Sequence, residues 1–115
     1  MNDAVVWKTR DPYYGLGPQG LRKRLRELLE GRVLGAWLFG SHATGSAGPD
    51  SDLDLIVVMR TELPFTRRPA LFDGLYELFP ALDLLVYTPE EFERLRADPS
   101  PGFWASVVAS LERIL

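Results

Sequence analysis

Two acids, Asp52 and Asp54, open an apolar run that continues to Met59, and an earlier apolar run over residues 33–39 ends in Gly40-Ser41. On an extended chain, residues i and i+2 face the same way with Cα atoms roughly 6.5–7 Å apart. Two carboxylates so spaced converge on one hard cation, and a Gly-Ser turn beside them suits a phosphate. Glycine admits close backbone approach, and the N–H groups opening a short helix after Ser41, with its hydroxyl, make an anion site. Gly45 and Gly48 keep the rest of the turn compact. Asp83 is the one acid within a third apolar run, residues 82–87, and is the candidate to complete the pocket from an adjacent strand. Transfer of a nucleoside monophosphate asks for such a set. Charge builds on phosphate oxygens, so catalysis is chiefly positioning and electrostatic stabilisation. Magnesium, held by one or two carboxylates with substrate phosphates and water, is the usual agent, and a second ion activates the attacking hydroxyl.

The elements that would position these residues follow from periodicity and punctuation. Leu21, Leu25, Leu28 and Leu29 recur at helical spacing, with Arg22, Lys23, Arg24 and Arg26 elsewhere around the helix and Gly31 as its stop. Strands are expected over 33–39, 52–59 and 82–87, with a short helical turn over 41–47 between the first two. Residues 67–79 read as a helix with Leu71, Phe72, Leu75, Leu78 and Phe79 inward. Thr88-Pro89-Glu90-Glu91 predicts an N-cap, a first-turn proline and a capping box for a helix running to Ala97. Asp98-Pro99-Ser100-Pro101 ends it, and a last helix is expected over 102–114, its stripe of Phe103, Trp104, Val107, Val108, Leu111, Ile114 and Leu115 read chiefly as core. Residues 1–18 look irregular. The expected architecture is α+β in mixed layers, a small three-stranded mixed sheet packed against four or five helices in one domain spanning 1–115.

Taken together, Gly40-Ser41, Gly45, Asp52-x-Asp54 and Asp83 within Leu82-Asp83-Leu84-Leu85-Val86 resemble the minimal nucleotidyltransferases of the DNA polymerase β superfamily. The tail Tyr87-Thr88-Pro89-Glu90-Glu91-Phe92 is also similar, and the resemblance covers about residues 20–97. It implies a nucleotidyltransferase-like fold in which Asp52 and Asp54 bind the metals, Asp83 completes the site and helps activate the acceptor hydroxyl, and Gly40, Ser41 and Gly45 grip the triphosphate. It also implies two Mg2+ ions, ATP as substrate, and AMP transfer to a hydroxyl of a small helical partner, as in antitoxins paired with HEPN-type toxins. A different reading is a non-catalytic module that neutralises such a toxin by occlusion. Where many relatives carry arginine this chain has His42 and Thr44. Arg60, Arg67 and Arg68 are candidates to compensate, and the sequence does not place them.

Blander patterns fall away on spacing. Asp50 to Thr61 begins like a calcium loop, yet Leu55 stands where glycine is needed and Thr61 where glutamate is needed. Gly15 to Gly20 spells a dinucleotide fingerprint, but Pro18 interrupts it and no convincing strand leads in, so it reads as a loop before the first helix. His42 reads as a turn residue near phosphates, Arg22 to Arg26 as a solvated helix face, and Ser46 and Ser51 as turn residues.

In bulk, a 115-residue chain with 46% apolar residues is long enough to bury a sizeable core. A net charge of −3 argues against a dedicated nucleic-acid binder. Without cysteine, thiolate ligands and thiol nucleophiles are out, which suits a cytoplasmic protein, and no signal-peptide pattern or membrane-length apolar run is present. The expected acceptor is another protein docked beside an open cleft. Homo-oligomerisation is left open.

Overall fold

A computed structural model describes residues 11–98 and 102–115. Helix α1 (Gly17–Leu29) leads to strand β1 (Gly35–Phe39), the short helix α2 (Ser41–Thr44) and strand β2 (Leu53–Val58). A 3₁₀ segment (Phe65–Phe72) runs into α3 (Asp73–Leu78), followed by β3 (Leu82–Tyr87), α4 (Pro89–Ala97), α5 (Phe103–Ser110) and β4 (Glu112–Arg113). The sheet order is β3-β2-β1-β4; β1 pairs antiparallel with β2 and with β4, and β2 pairs parallel with β3. The fold is therefore the expected mixed α+β, with a fourth strand added.

Alternation along the strands divides the core into two layers. One layer gathers Leu21, Leu25 and Leu29 of α1 with Phe72, Leu75 and Phe79, under Leu38, Leu55, Val57, Leu84 and Val86. The other sets Phe92 of α4 and Val107 of α5 on Trp37, Phe39, Ile56 and Val58. Because side chains alternate, Asp54 shares the face of Ile56 and Val58, and Asp83 that of Leu85 and Tyr87. Both acids thus lie on the α4–α5 side, at the end of the sheet where β1 finishes.

Several expectations change. The apolar residues at the end of the chain do not prolong a helix to 114: α5 stops at Ser110, and Glu112–Arg113 pairs with Leu38 and Trp37 along β1. Ile114 and Leu115 donate backbone hydrogen bonds to the Ala36 carbonyl, so pairing with the free edge of β1 takes over from helical propensity. Residues 67–79 are not one α-helix, because Pro69 supplies no N–H and the chain around it, to Phe72, winds as a 3₁₀ helix. That change of winding turns Leu71 and Leu78 outward, 42% and 47% exposed, while Phe72, Leu75 and Phe79 stay inward. Trp104 is half-buried against the second layer, edge-on to Tyr87.

Other expectations hold. The Thr88 hydroxyl accepts from the Glu91 N–H while the Glu91 carboxylate accepts from the Thr88 N–H, completing the capping box. Gly31 follows α1 at φ +80°, a left-handed stop. The loop expected over Gly15–Gly20 is shorter than that, because Gly17 to Gly20 already form the first turn of α1, where Pro18 suits the first helical positions. The first ten residues of the irregular N-terminal segment, and the 99–101 breaker, lie outside the described residues. Among the described residues no helix is long and apolar enough to cross a membrane.

Candidate active site

Register brings the acids together. Asp54 of β2 pairs directly with Asp83 of β3, and on its other side with Phe39, the residue before Gly40. Opposed residues on adjacent strands put their side chains on one face about 5 Å apart at the backbone. Asp52, just ahead of β2, is exposed, as is Asp83, while Asp54 is half-buried between its neighbours. Burial first, then the charges of Asp83 and of Asp52, push the Asp54 carboxyl up to about 6. Burial and like charges both disfavour the anion, so they raise the carboxyl together.

As they stand, the acids are neighbours rather than a closed ligand shell: among the described residues no three His, Cys, Asp or Glu side chains are gathered closely enough to hold an ion. The chemistry of the donor set nonetheless fits a hard dication. All three donors are carboxylates, with no thiolate or imidazole among them, and the middle one feels the other two.

The glycine turn closes against this cluster. Gly40 has φ +67°, and a Cβ there would overlap the Asp54 carboxylate, so only glycine fits. Its carbonyl accepts from the N–H groups of Ala43 and Thr44, which winds α2, and Gly45 ends that turn at φ +79°. The Gly40 N–H is donated to Ser110 Oγ at 3.2 Å. Ser46 and Ser51 are turn residues as expected: Ser46 Oγ contacts Thr44 Oγ1 and Ser51 Oγ accepts from the Gly48 N–H.

The structure corrects the reading of the arginines. Arg22 is 8% exposed rather than solvated; its guanidinium forms a fork on Glu112 at 2.7 and 2.8 Å and also donates to the carbonyls of Pro18 and His42. Arg68 is 5% exposed, holding Glu91 and the carbonyls of Leu63 and Val86. Arg60 pairs with Glu90. Arg60 therefore stands past the far end of β2, six residues or roughly 20 Å from Asp54, and the Arg68 guanidinium is taken up by Glu91, Leu63 and Val86 toward the same end. Neither replaces a phosphate-binding arginine at His42 or Thr44. Arg67 is exposed beside Arg68 on the 3₁₀ segment. His42 is 1% exposed and lies edge-on to Tyr13 at 5.3 Å, a packed residue of the turn rather than a group open to substrate. Tyr13, Ser110 and Glu112 escaped sequence reasoning because each meets the site through a contact remote in the chain. Tyr76 did too; its hydroxyl is pushed up by burial and by the charge of Asp83.

The family model of the nucleotidyltransferase domain matches residues 19–81, more than half of the chain. The chain belongs to that family. The matched stretch carries Gly40, Ser41, Asp52 and Asp54 and stops two residues before Asp83. This nucleotidyltransferase domain is 30% identical over 64 residues to spectinomycin 9-adenylyltransferase of Campylobacter jejuni, covering 56% of this chain. It spans 25% of that enzyme's length. Its fold is similar to that of a toxin–antitoxin crystallised with AMP-PNP, at 22% identity and TM-score 0.56, covering 82% of this chain and 72% of that one. A mutant of the toxin–antitoxin MntA–HpeT matches at 16% identity and TM-score 0.52, with the same coverage.

Proposed function

We propose that this nucleotidyltransferase domain transfers AMP from ATP to a hydroxyl of a partner protein in a magnesium-dependent reaction, as the antitoxin of a pair. The observation that carries the reading is the in-register pairing of Asp54 with Asp83, with Gly40 closed against the Asp54 carboxylate. The fold neighbours support the partner and the adenine nucleotide: both are toxin–antitoxin structures, one with AMP-PNP. The matched adenylyltransferase supports AMP as the transferred group. The partner proposed is a small helical HEPN-type toxin.

In this reading Asp52, Asp54 and Asp83 would hold Mg2+, two ions in the full site, which when bound would supply positive charge beside the α-phosphate and favour deprotonation of the acceptor hydroxyl. Ser41, through its N–H and hydroxyl, holds the outer phosphates, and Gly40 and Gly45 shape the turn so the backbone comes close. Asp83 faces the acceptor hydroxyl and takes its proton as the oxygen attacks the α-phosphorus. The P–O bond to the β-phosphate breaks and pyrophosphate leaves.

The test is transfer of label from α-labelled ATP to the protein that copurifies with this chain. Wild type should label the partner only with Mg2+, and Asp83→Asn or Asp52→Asn should reduce labelling by at least about 100-fold with the fold retained. Undiminished labelling in those variants would overturn the assigned roles. Neutralisation of the partner without any transfer would identify the occluding module instead.

A further inference from the structure

The phosphate turn is held from behind by the C-terminal end of the chain. Ser110, the last residue of α5, accepts the Gly40 N–H at 3.2 Å, and its own hydroxyl is oriented by donating to the Val107 carbonyl at 3.1 Å. Two residues on, Glu112 of β4 takes the bidentate fork of Arg22. The same guanidinium reaches the His42 carbonyl at 2.9 Å, inside α2, and the Pro18 carbonyl at 2.8 Å, in the first turn of α1. A near-buried arginine with one carboxylate and two carbonyls around it is geometrically over-determined, because its planar fork leaves little freedom once both oxygens are engaged. Ser110 of α5 therefore holds Gly40, and Arg22 of α1, itself fixed by Glu112 of β4, holds His42, so the residues on either side of Ser41 are both tied down.

We infer that Ser110, Arg22 and Glu112 are positioning residues that preset the Gly40–Ser41 turn for a nucleoside triphosphate. The inference rests on the nucleotidyltransferase reading and adds residues to it that lie outside the cluster of aspartates. Gly40 has its N–H tied to Ser110 and its α-carbon closed against Asp54, so it serves as the fixed pivot of the turn. The N–H assigned to the anion is that of Ser41, the next residue. A turn held in its binding conformation before the ligand arrives avoids ordering costs on binding, and loosening it weakens affinity without removing any contact to the ligand. The effect is expected on the triphosphate rather than the metal, because the hydrogen bonds of Ser110, Arg22 and Glu112 go to Gly40, Val107, Pro18, His42 and one another and not to Asp52, Asp54 or Asp83.

The full-length chain and its Ser110→Ala and Arg22→Lys variants test this through three readouts. These are calorimetric titration with Mg–ATP, Mn2+ alone as a paramagnetic probe of the carboxylates, and hydrogen exchange at the Gly40 amide. Both variants should bind Mg–ATP about 10-fold more weakly and hold Mn2+ within about twofold of wild type. The Gly40 amide should exchange at least about 10-fold faster, with Leu55 and Val57 as protected as before. Ser110→Ala removes a single oxygen, so it reports even where Arg22→Lys fails to fold. Mg–ATP affinity within twofold of wild type in Ser110→Ala would overturn the inference. So would a parallel loss of Mn2+ binding and strand protection, which marks general loosening. A wild-type chain that binds no Mg–ATP would instead sink the nucleotidyltransferase reading itself, and the clamp's role with it.

Discussion

Asp54 carries the largest tension in the site. Its carboxyl titrates at about 6, above the ordinary range near 3.9, because burial and two neighbouring acids disfavour the anion. Between about pH 4 and pH 6 the folded chain binds more protons there than the unfolded chain, so stability falls as pH rises through that window. Asp54→Asn should therefore stabilise the metal-free protein by about 1–2 kcal/mol at pH 7, an advantage that fades below pH 6 and is gone below about pH 4. Urea denaturation across pH reads this directly. An unchanged or lowered midpoint at pH 7 would mean the three acids do not feel one another. Gly40 is the converse case, a residue whose smallness the site requires. Gly40→Ala forces an unfavourable φ and an overlap with the Asp54 carboxylate. It should cost about 1–3 kcal/mol in stability and weaken Mg–ATP binding at least about 10-fold, both measurable in one purified variant.

At the scale of elements, the join between β3 and α4 does work that sequence inspection divides in two. The capping box at Thr88 and Glu91 is legible from four residues, but the same Glu91 also meets the buried Arg68 from the 3₁₀ segment. The Arg68 guanidinium, with the Thr88 groups, holds the Glu91 carboxyl down to about 2 against the cost of burial. That stabilisation is complete above about pH 4.5 and is lost as pH falls toward 2, when the carboxylate is protonated. Glu91→Gln should cost about 2–4 kcal/mol at pH 7, since it leaves a buried guanidinium without its counter-charge, and the difference from wild type should shrink on acidification. A cost below about 1 kcal/mol at neutral pH would contradict the pairing.

What could be read from sequence at this scale was whatever depended on neighbours in the chain. The apolar runs over 52–59 and 82–87, the Gly40 and Gly31 punctuation and the Thr88 cap all fall in that class. Asp83 was legible as an acid on a neighbouring strand, and its pairing in register with Asp54 needed the structure. The helix expected over 67–79 ran through Pro69, and which of Leu71 and Phe72 turns inward needed the 3₁₀ winding around it. Arg22 read as part of a solvated helix face and Arg68 as an unplaced candidate phosphate ligand because their carboxylates lie 90 and 23 positions away. The β4 strand was hidden because Leu111, Ile114 and Leu115 also match a helical stripe, and only the open edge of β1 chooses between the two.

Across the whole molecule the sheet separates structure from chemistry by its two ends. The end where β1 finishes and β2 and β3 begin holds Asp52, Asp54, Asp83 and the Gly40–Ser41 turn. The other end is tied by Arg68–Glu91 and by the exposed Arg60–Glu90 pair. A polar cleft of about 310 Å³ lined by Arg60, Thr61, Glu62, Thr88 and Glu90 lies at that second end, away from the acids. The Arg60–Glu90 pair is exposed, and Arg60→Ala should change stability by less than about 1 kcal/mol and leave nucleotide affinity untouched. A loss of Mg–ATP binding in that variant would place the phosphates at the wrong end of the sheet. The central claim is that three aspartates from two neighbouring strands take up a metal-bound triphosphate beside the glycine turn. Calorimetric titration of ATP into the wild-type chain and into Asp54→Asn, each with and without Mg2+, tests it most directly. The account predicts saturable binding for wild type only when Mg2+ is present and none for Asp54→Asn. Binding that is indifferent to Mg2+, or that survives intact in Asp54→Asn, would contradict it.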